Sequence, residues 1–178
     1  MKLVILDRDG VINYDSDQFI KSPEEWKPIP GSLDAIARLN HAGYTVVVAT
    51  NQSGIGRGLL DMSTLTSIHE KMQKMLLLAG GRVDAIFYCP HTADLKCSCR
   101  KPEPGMLLEI ADRFDADLKG VPAIGDSLRD LVSAERVGAK PILVLTGKGQ
   151  KTLSNGGLPD GTEVFADLAE AVRALVER

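Results

Sequence analysis

The chain has 178 residues, of which 44% are hydrophobic and 25% charged, a size and mixture that make one globular α/β domain and leave no room for two ordinary ones. A formal net charge of −3 excludes a general electrostatic grip on nucleic acid or an anionic membrane, so any phosphate site must be local. No apolar run approaches the roughly 20 residues that span a bilayer. In chain order, Leu3-Val4-Ile5-Leu6 reads as a first strand. It meets the charged triplet Asp7-Arg8-Asp9 too early for a signal peptide, so a cytoplasmic location is expected. Gly31 to His41 carries a helical pattern, and Tyr44 to Ala49 reads as a second strand. A long helix opens with Asp61 or Ser63 as N-cap and repeats Leu65, Ile68, Met72, Met75 and Ala79 at the 3.6-residue period. Val83 to Tyr88, Val121 to Gly125 and Pro141 to Leu145 are further strands, with a helix from Gly105 to Phe114 between the first two. Gln150 to Gly157 reads as a mobile surface loop, and about Asp167 to Arg178 as a last helix.

These strands are near-continuous apolar runs rather than alternating ones, as suits parallel strands buried on both faces. Strand–helix repetition then implies a single doubly wound, Rossmann-like parallel sheet, with residues 1–178 forming one α/β domain. Neither Asp15 to Pro30 nor the segment after the third strand is long enough for a cap domain. Residues 13–30 are expected to form a small flap, with Phe19 and Trp26 over the site. Trp26 with Pro28-Ile29-Pro30 is either the anchor of that flap to the core or a partner motif. No apolar stripe is left unplaced, so a monomer is expected.

In such a sheet, ligands bind beyond the carboxyl ends of the strands, and the chemistry-bearing residues fall there. Asp7 and Asp9 follow the first strand; two apart on extended chain, they face the same side while Arg8 points elsewhere. Thr50 and Asn51 follow the second strand, Lys101 the third and its loop, and Asp126 the Val121 strand. One acidic residue after a strand is as readily a cap or turn former. Several at successive strand ends point to a site. Close carboxylates repel one another unless a cation joins them, and Mg²⁺ suits a few carboxylates completed by a substrate phosphate. In that setting Asp7 attacks phosphorus, Asp9 carries the proton, and Thr50 and Lys101 stabilise the phosphoryl charge.

The set Asp7-x-Asp9-Gly10, Thr50-Asn51, Lys101 and Gly125-Asp126 resembles the four motifs of the haloacid dehalogenase-like (HAD) phosphatases, in the same order. The resemblance implies Mg²⁺ held by Asp7, by the backbone carbonyl of Asp9 and by Asp126.

A second signal is Cys89-Pro90-His91 followed by Cys97-Ser98-Cys99, three thiolates and an imidazole, the donor count of a structural Cys₃His Zn²⁺ site. Unlinked thiols and a surface His remain the alternative. A closed zinc shell orders a loop rather than catalysing, and this loop, 89–101, ends at Arg100-Lys101. Together Asp7 to Asn13, Thr50 to Gly58, Cys89-Pro90-His91 and Cys97 to Pro102 resemble the heptose-1,7-bisphosphate 7-phosphatase family, with histidinol-phosphate phosphatase domains as siblings. That implies release of the C7 phosphate of a small-molecule sugar bisphosphate, in nucleotide-activated heptose synthesis for bacterial surface polysaccharide. It also implies substrate contacts from Arg100, Asn51, Gln52, Ser53, Asp15 and Gln18, although Asp15 and Gln18 are equally ordinary turn formers. Arg57 is read as structural. The chain departs from the family at Ser127, where a Lys is usual, so Lys148 or Arg129 would have to supply the missing cation. Its zinc loop, with only Thr92 to Lys96 between the ligand pairs, is also short. Three other readings stay open; one of them, a sugar phosphomutase, is opposed by the lack of room for a cap that would keep water from the aspartyl-phosphate. A histidinol-phosphate phosphatase is opposed by Arg100, because that substrate's far end is cationic. A phospho-receiver or zinc-stabilised interaction module is opposed by the second carboxylate, Asp9.

Overall fold

The computed structural model describes residues 1–178. Strands β1 (Lys2–Leu6), β2 (Tyr44–Asn51), β3 (Ala85–Cys89), β4 (Pro122–Gly125), β5 (Lys140–Val144) and β6 (Glu163–Phe165) alternate with six helices. These are α1 (Ser32–His41), α2 (Met62–Leu78), α3 (Gly105–Arg113), α4 (Leu128–Arg136), α5 (Gly149–Asn155) and α6 (Leu168–Glu177). One sheet results, in the order β3-β2-β1-β4-β5-β6, every neighbouring pair parallel. The chain winds outward from β1 through β2 and β3, then returns to place β4 on the other side of β1. Strand order therefore reverses at β1, and the crevice that such a reversal opens lies at its carboxyl end.

Side-chain alternation explains why both faces are covered. Leu3, Ile5, Val47 and Ala49 pack against Met106, Leu107 and Ile110 of α3 and Ala134 of α4. Val4, Leu6, Val46 and Val48 pack on the opposite face with Ile36 and Leu39 of α1, Ile68 and Met72 of α2, and Val172 of α6. Each such side chain contributes about 1.5–3 kcal/mol on burial, which makes β1 and β2 the fixed frame for the polar segments that follow them. Two helices start on clear caps: the Asp61 carboxylate accepts from Thr64 N (2.8 Å), and that of Asp167 from Glu170 N (2.9 Å). No helix is long and apolar enough to cross a membrane.

Four segments differ from the sequence reading. Gln150 to Gly157, expected as a mobile loop, is largely helix α5, because the Thr152 hydroxyl turns inward and donates to Asp126 O (2.8 Å). Helix α4 and edge strand β6 were not anticipated: α4 is short and mostly polar in sequence, and β6 has only three residues. Trp26 does not lie over the site. It is fully buried in the larger core, and Lys71 Nζ ties its segment to α2 by donating to Pro23 O and Trp26 O, both at 2.7 Å. The rest of the flap is pinned by Tyr14 N donating to Lys27 O and Ile29 N to Ile12 O (both 2.9 Å).

Candidate active site

The backbone N–H of Asp7 donates to Ile124 O (2.9 Å), extending the β1–β4 pairing one residue and setting Asp7 at the carboxyl end of the central strand. Asp126 follows β4 directly. Gly10 (φ 85°) and Gly147 (φ 56°) press on its carboxylate, and a Cβ at either position would overlap Asp126 Oδ2. Only glycine fits there. Lys148 N donates to Asp126 Oδ2 (2.9 Å). One carboxylate oxygen each of Asp7, Asp126 and Asp130 lies within 4.8 Å of the others. Burial, then repulsion from Asp130, pushes the Asp7 carboxyl up to about 7. Burial, then Asp7 and Asp130, pushes Asp126 to about 8. Hard oxygen donors with uncompensated charge are what a Mg²⁺ ion satisfies, so the residues fit that ion.

Lys101 is buried beneath this cluster. Its Nζ lies 2.7 Å from Asp130 Oδ1 and 3.3 Å from Asp7 Oδ1, and donates to Ala49 O (2.7 Å). Burial works against its charge, but Asp130 and Asp7 outweigh it and hold the ammonium above its usual range. Asp130 Oδ2 meanwhile accepts from Asp126 N (3.2 Å), Ser127 N (3.1 Å) and Ser127 Oγ (3.0 Å), forming the start of α4. Sequence reasoning missed Asp130. The signal was present as Ser127-x-x-Asp130, a capping-box spacing one turn after the metal-binding candidate.

Asp9 lies on the other side of the same pocket. Its Oδ1 accepts from Arg8 Nε (2.9 Å), Arg8 Nη2 (2.7 Å) and Asn13 Nδ2 (2.9 Å), and its Oδ2 from Gln52 Nε2 (3.1 Å). Burial alone would raise this carboxyl; the Arg8 charge, with the Asn13 and Gln52 bonds, holds it below the usual range. Arg8 was expected to point elsewhere; it is fully buried and turned onto Asp9. Gln52 Nε2 also reaches Thr50 Oγ1 (2.9 Å). Asn51 clamps the backbone of Lys101, donating to its O (3.1 Å) and accepting from its N (3.0 Å).

The pocket above these groups has a volume of about 230 Å³. Its walls include Asp7, Asp9, Asp15, Thr50, Asn51, Gln52, Ser53, Arg100 and Asp126, nearly the whole set read from sequence. Gln18 is not among them; it is exposed and faces an outer groove of the flap with Tyr14 and Lys21, because its turn directs it away from β1. Phe19 does line the pocket, and the Arg57 guanidinium stacks over its ring at 5.5 Å, so Arg57 faces the site as well as bracing the flap. Of the two candidate replacements at the Ser127 position, Lys148 is engaged by Asp15 (Nζ to Oδ2, 2.6 Å). Arg129 has no carboxylate within ion-pairing distance, and neither has Arg100. Burial, then the Arg129 charge, lowers Arg100 below its usual range, placing two guanidiniums on one wall.

The three cysteines are free thiols. Cys99 Sγ lies 3.0 Å from Cys89 Sγ, 3.5 Å from Cys97 Sγ and 3.3 Å from His91 Nδ1, with Cys89 3.5 Å from both Cys97 and His91 Nδ1. A tetrahedron with Zn–S bonds of ~2.3 Å has edges of about 3.8 Å; this soft donor set matches a zinc ion in kind and number, its atoms drawn together at 3.0–3.5 Å, somewhat closer than those edges. The loop is tied to the end of β2 by Gln52 N donating to Cys89 O (2.7 Å) and Gly56 N to Pro90 O (3.0 Å).

Comparison with known proteins agrees with this geometry. The sequence profile of the polynucleotide kinase 3 phosphatase family matches residues 2–127, and a HAD-hydrolase-like profile matches residues 98–171. A D-glycero-beta-D-manno-heptose-1,7-bisphosphate 7-phosphatase from Bordetella bronchiseptica is 61% identical, covering 99% of both chains, and one from Pseudomonas putida is 56% identical over 99% of this chain and all of the other. The B. bronchiseptica heptose-bisphosphate phosphatase, solved in complex with magnesium and phosphate, superposes with a TM-score of 0.98 over 99% of both chains. That from Burkholderia thailandensis, 51% identical, gives 0.80 over the full length of both. With the motif residues gathered at one sheet end and identity running the length of the chain, this protein belongs to the heptose-1,7-bisphosphate 7-phosphatase family of HAD-like hydrolases.

Proposed function

We propose that this protein removes the C7 phosphate of D-glycero-D-manno-heptose 1,7-bisphosphate, in the beta form that its relatives' names carry, with Asp7 as the nucleophile. The observation that carries this reading is the convergence of Asp7, Asp126, Asp9 and Lys101 at the carboxyl end of β1, under a pocket lined by Arg100 and Arg129, neither of which is paired with a carboxylate. Asp7 Oδ1 already accepts from Arg8 N (2.8 Å) and faces Lys101, which leaves Oδ2 for phosphorus. As the Asp7–phosphorus bond forms, the bond from phosphorus to the sugar oxygen breaks, and Asp9 gives that oxygen its proton. The phosphate's negative charge raises Asp9 toward the protonated form it needs for this step. Asp9 then takes a proton from the water that cleaves the aspartyl-phosphate, releasing inorganic phosphate and restoring Asp7. Lys101 and Thr50 stabilise the charge of the transferring group.

Asp7, Asp126 and the Asp9 carbonyl would hold Mg²⁺, which when bound neutralises the carboxylate cluster and the phosphoryl oxygens. Cys89, His91, Cys97 and Cys99 would hold a structural Zn²⁺ that fixes Arg100 beside the pocket. Arg100 and Arg129 receive the second phosphate; a cationic far end, as in histidinol phosphate, would meet repulsion there. Asp15, Asn51, Gln52 and Ser53 line the sugar's path. The product would feed nucleotide-activated heptose synthesis in the cytoplasm, for surface polysaccharide. The test is Mg²⁺-dependent phosphate release from heptose 1,7-bisphosphate, fructose 1,6-bisphosphate and histidinol phosphate. Preference for the first supports the reading; equal rates, or preference for the last, overturn it.

A further inference from the structure

Helix α2 carries a histidine on its core side. His69 comes four residues after Leu65 and three before Met72, both fully or nearly fully buried, so it shares their stripe. Its Nε2 lies 3.1 Å from Nη1 of Arg8, whose side chain has no exposure to solvent. A guanidinium has donors only, so the imidazole accepts this bond, neutral, with its proton on Nδ1. Burial and the Arg8 charge hold His69 down to about 4, in keeping with that tautomer. Two further donor atoms of Arg8, Nε and Nη2, go to one atom, Asp9 Oδ1, at 2.9 and 2.7 Å, where Asn13 Nδ2 adds a third bond. Asp9 Oδ2 receives only Gln52 Nε2, at 3.1 Å. The two oxygens of one carboxylate are thus unequal: Oδ1 is saturated, and Oδ2 has a free lone pair.

We propose that His69 is a positioning residue for proton transfer. By accepting from Arg8 it locks the guanidinium against Asp9 Oδ1, so that Oδ2 is the atom that hands the proton to the leaving sugar oxygen and later takes one from water. The inference rests on the reading of Asp9 as proton carrier. In the step itself the O–H bond at Asp9 Oδ2 breaks as the sugar oxygen gains the proton and leaves phosphorus with its electron pair. Without an acceptor at position 69, a buried N–H of Arg8 is left unsatisfied, and the guanidinium is free to turn away from Asp9.

The test compares two leaving groups. A sugar alkoxide needs the proton, whereas the phenolate of p-nitrophenyl phosphate leaves without it. General acid catalysis contributes about 10²–10⁴-fold, so His69→Phe is expected to lower the ratio of kcat/KM on the sugar bisphosphate to kcat/KM on p-nitrophenyl phosphate, which reports the step in which the leaving group departs, at least ~10-fold. His69→Gln, which keeps an acceptor, is expected to bring the ratio back within about threefold of the parent. If the Phe variant does not fold, His69→Met is measured in its place, with the same ratio expected. A ratio that stays at the parent value, or an equal loss on both substrates, overturns the proposal. Asp9→Asn separates the two layers of the argument. If it lowers kcat/KM equally on both substrates, the reading of Asp9 as the acid that protonates the leaving sugar oxygen fails. If it lowers the ratio while His69→Phe does not, the role of His69 alone fails.

Discussion

Asp130 Oδ1 stands 2.7 Å from Nζ of Lys101, with both side chains almost wholly buried. Lys101 is farther from Asp7, at 3.3 Å, so the ammonium is anchored by Asp130 and offered to Asp7, the proposed nucleophile. Removing one partner of a buried ion pair costs about 3–5 kcal/mol, because the other charge is left uncompensated. In Asp130→Asn that loss falls at the low end, ~3 kcal/mol, since Asp7 still faces Lys101. Activity is expected to fall about 10²-fold through displacement of Lys101 from the phosphoryl position. Denaturant unfolding and kcat measured on the same preparation check both. Full stability with full activity would mean that Asp130 is only a helix cap.

The raised carboxyls of Asp7 and Asp126 make stability depend on pH and metal together. Their folded values, about 7 and about 8, exceed the ordinary 3.8 of the unfolded chain. Between these limits the two carboxyls bind more protons in the metal-free native state than in the unfolded state, so the stability they contribute is fully present below about pH 4 and declines as pH rises through about 8. Mg²⁺ binds the ionised forms and should offset this loss. The increase in Tm on saturation with Mg²⁺ is therefore expected to grow steadily from about pH 5 to about pH 8. Calorimetric scans with chelator and with Mg²⁺ across that range test it, and an increment independent of pH would remove these two carboxylates as the ion's ligands.

The cysteine cluster leads to a different expectation. Cys99, like Cys89, lies within 3.5 Å of each of the other three donor atoms, so Cys99→Ser removes one of the two best-connected ligands. Metal analysis of the parent protein should give about one zinc per chain and of the variant well below half of that. Because the loop ends at Arg100 and Lys101, and Arg100 Nη1 reaches back to His91 O at 3.5 Å, the variant should lose affinity for the bisphosphate as well as thermal stability. A variant with unchanged KM but lower Tm would confine the metal to a folding role.

Much of this was legible in sequence because it rests on local rules. The apolar runs of β1 and β2 are continuous where both faces are buried, and Asp61 and Asp167 cap helices where a short acidic side chain precedes an apolar period. The site was legible because its residues follow strands, and strand ends meet in a parallel sheet. What escaped depends on contacts across the chain. Arg8 turns back onto Asp9 because α2 presents His69 to it, 61 residues on. Thr152 draws α5 out of an apparent loop by reaching Asp126 O. Trp26 enters the core rather than covering the pocket because the flap folds back on its own backbone and on Lys71. None of these partners is visible in a window of neighbouring residues.

The Ser127 departure yields the sharpest test of substrate choice. Ser127 Oγ is spent on Asp130 Oδ2 (3.0 Å), at the start of α4 rather than in the pocket. Lys148 is held by Asp15, 2.6 Å away. That leaves Arg129, close enough to Arg100 to lower its basicity and without a carboxylate of its own. Two guanidiniums that repel each other in the free protein gain most when a phosphate dianion comes between them. Arg129→Gln is therefore expected to lower kcat/KM for the bisphosphate relative to the corresponding 7-monophosphate by about tenfold, ~1.4 kcal/mol. Arg129→Lys, keeping charge but not the planar fork, should recover part of it. The change should lie in KM, because the second phosphate sits away from the reacting bond and binds ground and transition states alike. If the parent enzyme itself shows no preference for the bisphosphate, the substrate reading fails. If the preference survives in Arg129→Gln and is lost in Lys148→Met, the cation belongs to Lys148, released from Asp15 when substrate arrives.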